Sequence, residues 1–293
     1  MIFVQLSGGL GNQLFQYAAA KALAVKNKTE LMLDISELKK PKKSVTYREF
    51  ELSNFHCDAT ISKPPGITGL PRFKHYGHLL NWCGKWKFLI EKKSAYRPDF
   101  LDQGDQNFLI GFWQSYKYFE SISDILFSDF SPKNPLSDLS QKILFQIQAS
   151  QAVGVHIRRG DYVSLDSAKN HHGSLSMKYY EESIAIIKNE CPNAFFYFFS
   201  DDPQWCKTHF NYLNDDYSVI SHNGGGDAWQ DLILMSWCPQ LIIANSSFSW
   251  WAAWLGDRRF QGLPRKVIAP SQWFLEFSLN DLAHRIPSHW VVR

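Results

Sequence analysis

The sequence predicts an α/β protein built from two units, each an alternation of strands and helices. Three observations lead to this prediction. The chain opens with an apolar run, a glycine-rich turn, a stretch of helical spacing and a second apolar run, which is the strand–loop–helix–strand order of nucleotide-binding α/β folds. A second series of this kind starts near residue 152. The intervening residues 128–140 are rich in Ser, Pro, Asn and Asp, a composition typical of a linker.

The first unit is predicted from the pattern of its residues. A short apolar run at 2–6 predicts a buried strand, and the glycines in 7–11 permit a sharp turn. Apolar residues then recur at helical spacing over 12–26, and a further apolar run at Leu31–Asp34 predicts the second strand. Residues 108–113 have the composition of one more strand.

The middle of the first unit carries weaker signals. Residues 62–72 are rich in proline and glycine, so we expect them to be irregular. Residues 73–93 are aromatic and basic, and we interpret them as helical. No motif that indicates a particular chemistry lies in this region.

The second unit is predicted by apolar runs that alternate with stretches of helical spacing. Two such halves joined by a linker favour a cleft enzyme, with its ligand at the carboxyl ends of the strands. The predicted strands are 152–157, 194–200, 216–220, 241–244 and 267–269, and the predicted helices are 176–189, 203–209, 227–238 and 246–255.

The composition excludes several classes of protein. There are 31 Lys and Arg against 28 Asp and Glu, and this net charge of +3 is too small to indicate nucleic-acid binding. The five cysteines form no CxxC pair, which argues against a disulfide framework or a structural zinc site and favours free thiols in a reducing cytosol. Because no signal peptide or membrane-spanning run is evident, we expect a cytoplasmic protein with at most peripheral membrane contact.

The first motif is the glycine-rich turn at residues 8–13. Glycines let the backbone turn sharply and approach a ligand closely, although a mere connection between strand and helix would also use them. Asn12 and Gln13 stand at the start of the predicted helix. Their side chains either cap that helix or face the cleft.

The second motif is His156-Ile157-Arg158-Arg159-Gly160-Asp161, at the end of a predicted strand. His156 and Arg158 share one face while the strand persists. Arginine offers a planar fork of donors that suits phosphate oxygens, and strand ends are where α/β sheets bind ligands. The alternative is a surface ion pair between an arginine and Asp161.

Two further motifs follow strands. Asp201 and Asp202 precede Pro203, where they could bind a metal, hold a ribose or base, or cap the next helix, and Asp202 fits the capping position well. The polar run 245–249 separates a buried strand from a helix. Hydroxyls and N–H groups at a helix start favour a diphosphate, while a simple cap by Asn245 or Ser246 is the alternative.

Three segments together resemble the bacterial α-1,2-fucosyltransferases of glycosyltransferase family 11. They are residues 8–17 (GGLGNQLFQY), 156–163 (HIRRGDYV) and 243–251 (IANSSFSWW). The resemblance covers nearly the whole chain, and the three segments together are specific. The His-x-Arg-Arg core alone also occurs in α-1,6- and protein O-fucosyltransferases.

The resemblance implies a GT-B fold, with two Rossmann-like domains facing across a cleft. Residues 1–140 would form the acceptor-side domain and residues 141–293 the domain that binds GDP-fucose. It further implies transfer of L-fucose from GDP-β-L-fucose, with inversion and without a metal or other cofactor. The acceptor would be the 2-hydroxyl of a terminal galactose, in lactose or in a polysaccharide precursor.

The resemblance also implies roles for individual residues. Arg158 would bind the β-phosphate with support from Arg159, and Asp231 would accept the N1 and N2 donors of guanine. Asn12 would lie near the fucose and the acceptor. The other residues expected at the donor are His156 and Asp202 at the nucleoside end, and Asn245, Ser247, Phe248 and Ser249 along the diphosphate.

A general base for the acceptor hydroxyl is sought in the loop after residue 160. Asp161 is the first candidate, although it would serve equally well to orient an arginine. Asp166, His171 and His172 are the other candidates. The region 60–107 is expected to shape the choice of acceptor.

Three rival functions stay open on the sequence. The first is a transferase that makes another linkage or uses another donor such as GDP-mannose. The second is a non-catalytic carbohydrate-binding protein, which the aromatic content of 15% allows. The third is a metal-dependent transferase that uses Asp201 and Asp202.

Overall fold

The computed structural model describes residues 1–39, 48–63, 86–91, 96–159, 173–276 and 282–293. The described chain divides into two compact units. The first ends at Lys133 and the second begins at Asn134. Each unit contains one sheet with helices beside it.

The first unit is built on a five-stranded parallel sheet of order β3-β2-β1-β5-β4. Its first helix is buried on almost every side, because alanines at positions 18–20, 22 and 24 let it approach the sheet closely. The elements are β1 (Ile2–Gln5), α1 (Leu10–Lys26), β2 (Leu31–Asp34), β3 (Thr60–Ile61), β4 (Lys87–Ile90), β5 (Asn107–Ile110) and α2 (Ser123–Asp129).

The second unit is built on a six-stranded parallel sheet of order β11-β10-β9-β6-β7-β8. If β6 to β11 are numbered 1 to 6 along the chain and the sheet is read from β8 to β11, this is the doubly wound order 3-2-1-4-5-6. The elements are α3 (Asp138–Gln148), β6 (Ala152–Ile157), α4 (Met177–Glu190), β7 (Phe195–Ser200), α5 (Pro203–His209), β8 (Tyr217–Ile220), α6 (Ala228–Ser236), β9 (Gln240–Ile242), α7 (Ser247–Arg259), β10 (Lys266–Ala269) and β11 (Val291–Val292).

Each sheet has a point where the strand order changes direction. In the first sheet this lies between β1 and β5, and in the second between β6 and β9. Loops that leave such neighbouring strands run to opposite sides and open a crevice. We call residues 7–13 and 111–114 the first switch point, and residues 158–159 and 243–246 the second switch point.

The prediction of two α/β units is confirmed, and three local predictions are corrected. Residues 87–90, inside the stretch interpreted as helical, form β4 because they pair with β5 and bury Phe88 against Phe108. The strand predicted over 108–113 ends at Ile110, since Gly111 and Trp113 take positive φ values of 149° and 55°. Within the predicted linker 128–140, Ser137 caps α3, so the predicted boundary at 140/141 lies inside a helix.

Two expectations from composition concern only part of the chain. Cys57, Cys191, Cys206 and Cys238 are free thiols, and Cys83 lies outside the described residues. Of the helices described, none has both the length and the apolar character needed to cross a membrane.

Candidate active site

Arg158 follows the last residue of β6 and enters the second switch point. Its Nη1 lies 2.9 Å from Asp201 Oδ2, and both side chains are 24% exposed. The other oxygen of Asp201 accepts the backbone N–H of Arg159 at 2.9 Å. One carboxylate therefore holds both the guanidinium and the main chain beside it, which fixes the direction in which Arg158 leaves the strand. The remaining exposure leaves the guanidinium accessible to a ligand.

Arg159 is held toward α5 instead. Its guanidinium lies 4.3 Å from the centre of the Trp205 ring, and its Nε lies 3.4 Å from Asp202 Oδ2. Trp205 stacks in turn on His209. A cation over an indole and beside a carboxylate is already well satisfied. The two side chains are equally exposed, 24% for Arg158 and 25% for Arg159, so the roles of Arg158 at a ligand and of Arg159 in support stay predictions.

Asp202 has a structural role in the described protein. It caps α5, because its Oδ1 accepts the N–H of Trp205 at 3.1 Å. Its other oxygen is paired with Arg159. This is the capping alternative that the sequence allowed, and both oxygens have partners within the protein. Contact of Asp202 with a nucleoside stays a prediction.

The start of α7 forms the opposite wall of the second switch point. Ser246 is its N-cap and accepts the N–H of Phe248 at 3.4 Å. The hydroxyl of Ser249 is fully buried and donates to the carbonyls of Ala244 and Ser246. Asn245 is also buried, and its amide donates to main-chain carbonyls of Gly173 and Trp273.

What this helix start presents to a ligand is therefore mainly its backbone. The N–H groups of a first helical turn have no partner inside the helix, and the helix dipole adds partial positive charge there. Ser247 and Phe248 occupy this turn and are partly exposed. Such a turn suits phosphate oxygens. Ser249 would contribute through its N–H rather than through its hydroxyl.

His156 joins β6 to α7. Its ring lies 5.6 Å from the ring of Phe248 and is buried. Burial, and then the charge of Arg158, lower the pKa of His156 to about 3, so the ring is neutral at physiological pH. Its Nδ1 has no hydrogen-bond partner among the described residues. A buried nitrogen of this kind is one that a ligand group would satisfy.

Asp231 lies in the first turn of α6. Its Oδ1 accepts a hydrogen bond from Asn223 Nδ2 at 2.7 Å. Burial raises the pKa of Asp231 to about 7, and the hydrogen bond from Asn223 opposes this shift. The carboxyl group is therefore only partly ionised near neutral pH.

Asn12 lies at the first switch point, in the first turn of α1. Its Oδ1 accepts a hydrogen bond from Gln114 Nε2 at 2.8 Å. Gly8 has φ of 77°, and a Cβ there would lie 2.5 Å from Asn12 Nδ2, so only glycine leaves room for this amide. Gln13 is buried and bonds the carbonyls of Gly8 and Glu49. Gln13 thus shapes the turn, while Asn12 carries the orientated amide.

The four candidates for the general base lie outside the described residues. Asp161, Asp166, His171 and His172 fall within 160–172, and their roles stay predictions. For a metal, the described ranges hold no group of three or more His, Cys, Asp or Glu side chains. The aspartates weighed as metal ligands, Asp201 and Asp202, are paired with arginines.

The sequence analysis did not predict that Asp201 pairs with Arg158. The signal was present in the order of strands. Ile157 pairs with Ser200 across β6 and β7, so the residues that follow, Arg158 and Asp201, emerge side by side. Finding the ion pair required knowing that these two strands are neighbours and in which register.

Comparison with known proteins identifies the family of the chain. The family model of glycosyl transferase family 11 matches residues 78–269, which include the arginine pair and the start of α7. The chain is similar to the alpha-1,2-colitosyltransferase of Escherichia coli, with 36% identity over 299 residues, 99% of this chain and 98% of that protein. It is also similar to galactoside alpha-(1,2)-fucosyltransferase 1 of Leontocebus fuscicollis, with 24% identity over 165 residues, 54% of this chain and 45% of that one.

A solved structure supports the fold. The fucosyltransferase NodZ from Bradyrhizobium matches with a TM-score of 0.50 and 15% identity, over 86% of this chain and 91% of that one. The two parallel-sheet units are accordingly of the GT-B type, as the resemblance implied. With the family model and the full-length relative in agreement, the chain belongs to glycosyltransferase family 11.

Proposed function

We propose that this glycosyltransferase moves L-fucose from GDP-β-L-fucose to the 2-hydroxyl of a terminal galactose, with inversion and without a metal. One observation carries the proposal. Within a family 11 chain, an accessible arginine and a helix start share the switch point of a doubly wound sheet. That is where such sheets bind nucleotides.

The diphosphate of the donor is the part this site fits best. When the bond to fucose breaks, negative charge grows on the β-phosphate oxygen. Arg158 supplies a full positive charge for it, and the first turn of α7 supplies N–H groups. Because Asp201 holds Arg158 before the donor arrives, little reorganisation is needed in the transition state.

The nucleoside of the donor has separate partners. His156 is neutral and buried against Phe248, so it adds hydrogen bonding without adding charge. Asp231, when ionised, offers the two carboxylate oxygens that the N1 and N2 donors of guanine require. Ser247 and Asn245 would complete the wall along the diphosphate.

The reaction is a single displacement. The acceptor oxygen attacks C1 of fucose from the face opposite GDP, a bond between that oxygen and C1 forms, and the bond from C1 to the β-phosphate oxygen breaks. This converts a β-linked donor into an α-linked product. The acceptor proton passes to a base, for which Asp161 is the first candidate. GDP leaves with the electron pair.

The proposed acceptor is a terminal galactose. A galactose-terminated oligosaccharide, such as lactose or a polysaccharide precursor, fits the activity named for the galactoside alpha-(1,2)-fucosyltransferase to which the chain is similar. Asn12 would lie near the fucose and the acceptor, as the family resemblance implies, and Gln114 and Gly8 orient its amide. The region 60–107 would shape the choice of acceptor.

A second donor is favoured by one specific observation. The full-length relative with 36% identity is a colitosyltransferase. Colitose is L-fucose without its 3-hydroxyl, so the two GDP-sugars share every group that the second switch point would bind. Selection between them would rest on one hydroxyl.

The test is incubation with lactose and one GDP-sugar at a time, followed by NMR of the product. We expect an α-1,2-linked fucosyl product from GDP-fucose, at the same rate in EDTA. Transfer from GDP-colitose alone would mean that the donor is GDP-colitose and not GDP-fucose. A requirement for a metal would contradict the metal-free mechanism. No transfer from GDP-fucose, GDP-colitose or GDP-mannose to any galactoside would overturn the proposal.

A further inference from the structure

A directed chain of hydrogen bonds ends at Asp231. Ser140, fully buried in α3, has its Oγ 2.9 Å from His222 Nε2 and 3.2 Å from Asn223 Oδ1. Asn223 Nδ2 lies 2.7 Å from Asp231 Oδ1. These four residues come from α3, the loop after β8 and α6.

The direction of this chain follows from counting protons. A serine hydroxyl has one proton, and an amide oxygen can only accept. Ser140 therefore donates to Asn223 Oδ1 and accepts from His222 Nε2–H. Burial lowers the pKa of His222 and favours its neutral ring, and the hydrogen bond that Ser140 accepts places the ring proton on Nε2. The amide of Asn223 then has to present its NH2 group to Asp231.

This chain of hydrogen bonds gives the two oxygens of Asp231 different surroundings. Oδ1 receives the hydrogen bond from Asn223, and among the described residues the hydrogen bonds of Asp231 end there. A proton bound by this carboxyl group therefore belongs on Oδ2. Because burial brings the pKa of Asp231 to about 7, the protonated and ionised forms are both populated near neutral pH.

The two forms match different nucleobases. The carboxylate offers two acceptors, which fit the N1–H and N2–H donors of guanine. The acid offers Oδ1 as an acceptor and Oδ2–H as a donor, which fit N6–H and N1 of adenine. We propose that Asp231, with its protonation site fixed by His222, Ser140 and Asn223, is a proton-dependent selector between guanine and adenine nucleotides. This inference rests on the proposed binding of a nucleotide donor at Asp231.

The other titratable groups on the surrounding elements do not take the place of Asp231 as the group that titrates. Asp227 accepts a hydrogen bond from Gln230 at the start of α6. Arg259, near the end of α7, reaches Ser236 at the far end of α6. The titratable side chains of these elements, besides His222 and Asp231, are Asp138 and Lys142 on α3, Asp227, and Asp257, Arg258 and Arg259 on α7.

The experiment is calorimetric binding of GDP and ADP to the full chain at pH 6, 7 and 8. For a single group that titrates near 7, GDP affinity should rise about tenfold from pH 6 to pH 8, and ADP affinity should fall by a similar factor. GDP affinity that is measurable but the same at pH 6 and pH 8 would overturn the selector and leave the proposed function standing. Absence of GDP binding at every pH would instead remove the proposed function.

Two serine variants on one helix test the chain itself. Ser140→Ala removes the donor that fixes the Asn223 amide, so the pH midpoint for GDP should move up by about one unit and weaken GDP binding at pH 7 by about fivefold. Ser137→Ala is the matched control, because its hydroxyl caps α3 without touching Asn223. Equal pH midpoints for GDP binding in the two variants would contradict the role of this chain of hydrogen bonds.

Asp231→Asn keeps the test valid if Ser140→Ala fails to fold. An amide cannot ionise in this range, so the pH dependence of both nucleotides should disappear in this variant. A GDP titration curve that stays as in the wild type would assign the pH dependence to another group and exclude Asp231 as the selector.

Discussion

At the first switch point the loops after β1 and β5 meet through neutral amides, whereas at the second the loop after β6 carries a charge that is paired with the adjacent loop after β7. Gln114 donates to Asn12 in the first, and Arg158 pairs with Asp201 in the second. Both regions are crevices of parallel sheets, so topology alone does not distinguish them. The side chains do, because an anion needs fixed positive charge and a hydroxyl-rich sugar needs orientated neutral groups.

The first switch point is also held together by a buried amide. Gln16 is fully buried and bonds Ser7 through both its oxygen and its nitrogen, and it reaches the carbonyl of Gly111. It thus ties the loop after β1 to the loop after β5. At the second switch point Asn245 and Ser246 are also buried, but the charged Arg158 keeps 24% of its side chain exposed. This contrast supports the assignment of the diphosphate to the second region.

The largest expected effect comes from removing the charge of the second switch point. Arg158→Ala should lower kcat by about 100-fold to 1000-fold, because a preorganised cation is lost where charge develops. Lys188→Ala is the matched control. Lys188 forms an ion pair of the same 2.9 Å length with Asp216, at the other end of the same sheet. Its loss should change kcat by less than about twofold. If a folded Arg158→Ala variant keeps the wild-type kcat in steady-state kinetics, the comparison is contradicted.

A smaller effect is expected from Asp201→Asn. The amide keeps the size of the side chain and an oxygen for the N–H of Arg159, but loses the charge that orients Arg158. We expect kcat to fall by about tenfold, with a smaller change in KM. In the double variant with Arg158→Ala, the loss should be no greater than for Arg158→Ala alone. Full additivity of the two losses in the same assay would mean that Asp201 does not act through Arg158.

Gly8→Ala tests the first switch point through the stability of the folded protein. The new Cβ would meet the amide of Asn12 and would hold an alanine at positive φ. We expect the free energy of unfolding to fall by about 1–3 kcal/mol, measured by urea titration. Gly104→Ala is the control in the same unit, since no heavy atom lies within 4 Å of its Cβ position. Equal stability of the two variants would show that the turn tolerates a side chain.

The smallest effect concerns a charged contact elsewhere in the second unit. The hydrogen bond from His289 Nε2 to Asp257, at 2.9 Å, raises the pKa of His289. A raised pKa means that the folded state binds the proton more tightly, so this stabilisation is full below the ordinary histidine pKa and is lost as pH rises through the raised one. Because His289 is 65% exposed, His289→Gln should cost less than about 1 kcal/mol at pH 5 and nothing at pH 9. A larger cost at pH 9, in thermal unfolding at both values, would contradict this sign.

Much of the fold could be predicted because its repeating elements have long periodic patterns. The segments that were missed are short or polar. β3 and β11 have two residues each and exist through pairing with a neighbour, which composition does not reveal. Helix α3 begins in a polar stretch, and it forms because Ser137 caps it and because Ser140 and Ile147 face inward.

The site was predictable where one strand end carries its own chemistry and was not where two distant segments meet. Arg158 and the start of α7 are local motifs, so the sequence indicated them. The pairing of Arg158 with Asp201 depends on strand register, and the contact of Ser140 with Asn223 depends on how α3 packs on α6. Ser249 shows the converse, since a serine at a helix start can be turned inward to the backbone.

The account depends on the diphosphate being held at the second switch point. Calorimetric titration of GDP and of guanosine, into the wild type and into Arg158→Ala, measures this directly. We predict that the wild type binds GDP more tightly than guanosine, and that Arg158→Ala weakens GDP by about tenfold or more while leaving guanosine unchanged. An Arg158→Ala variant that binds GDP as tightly as the wild type would contradict the account.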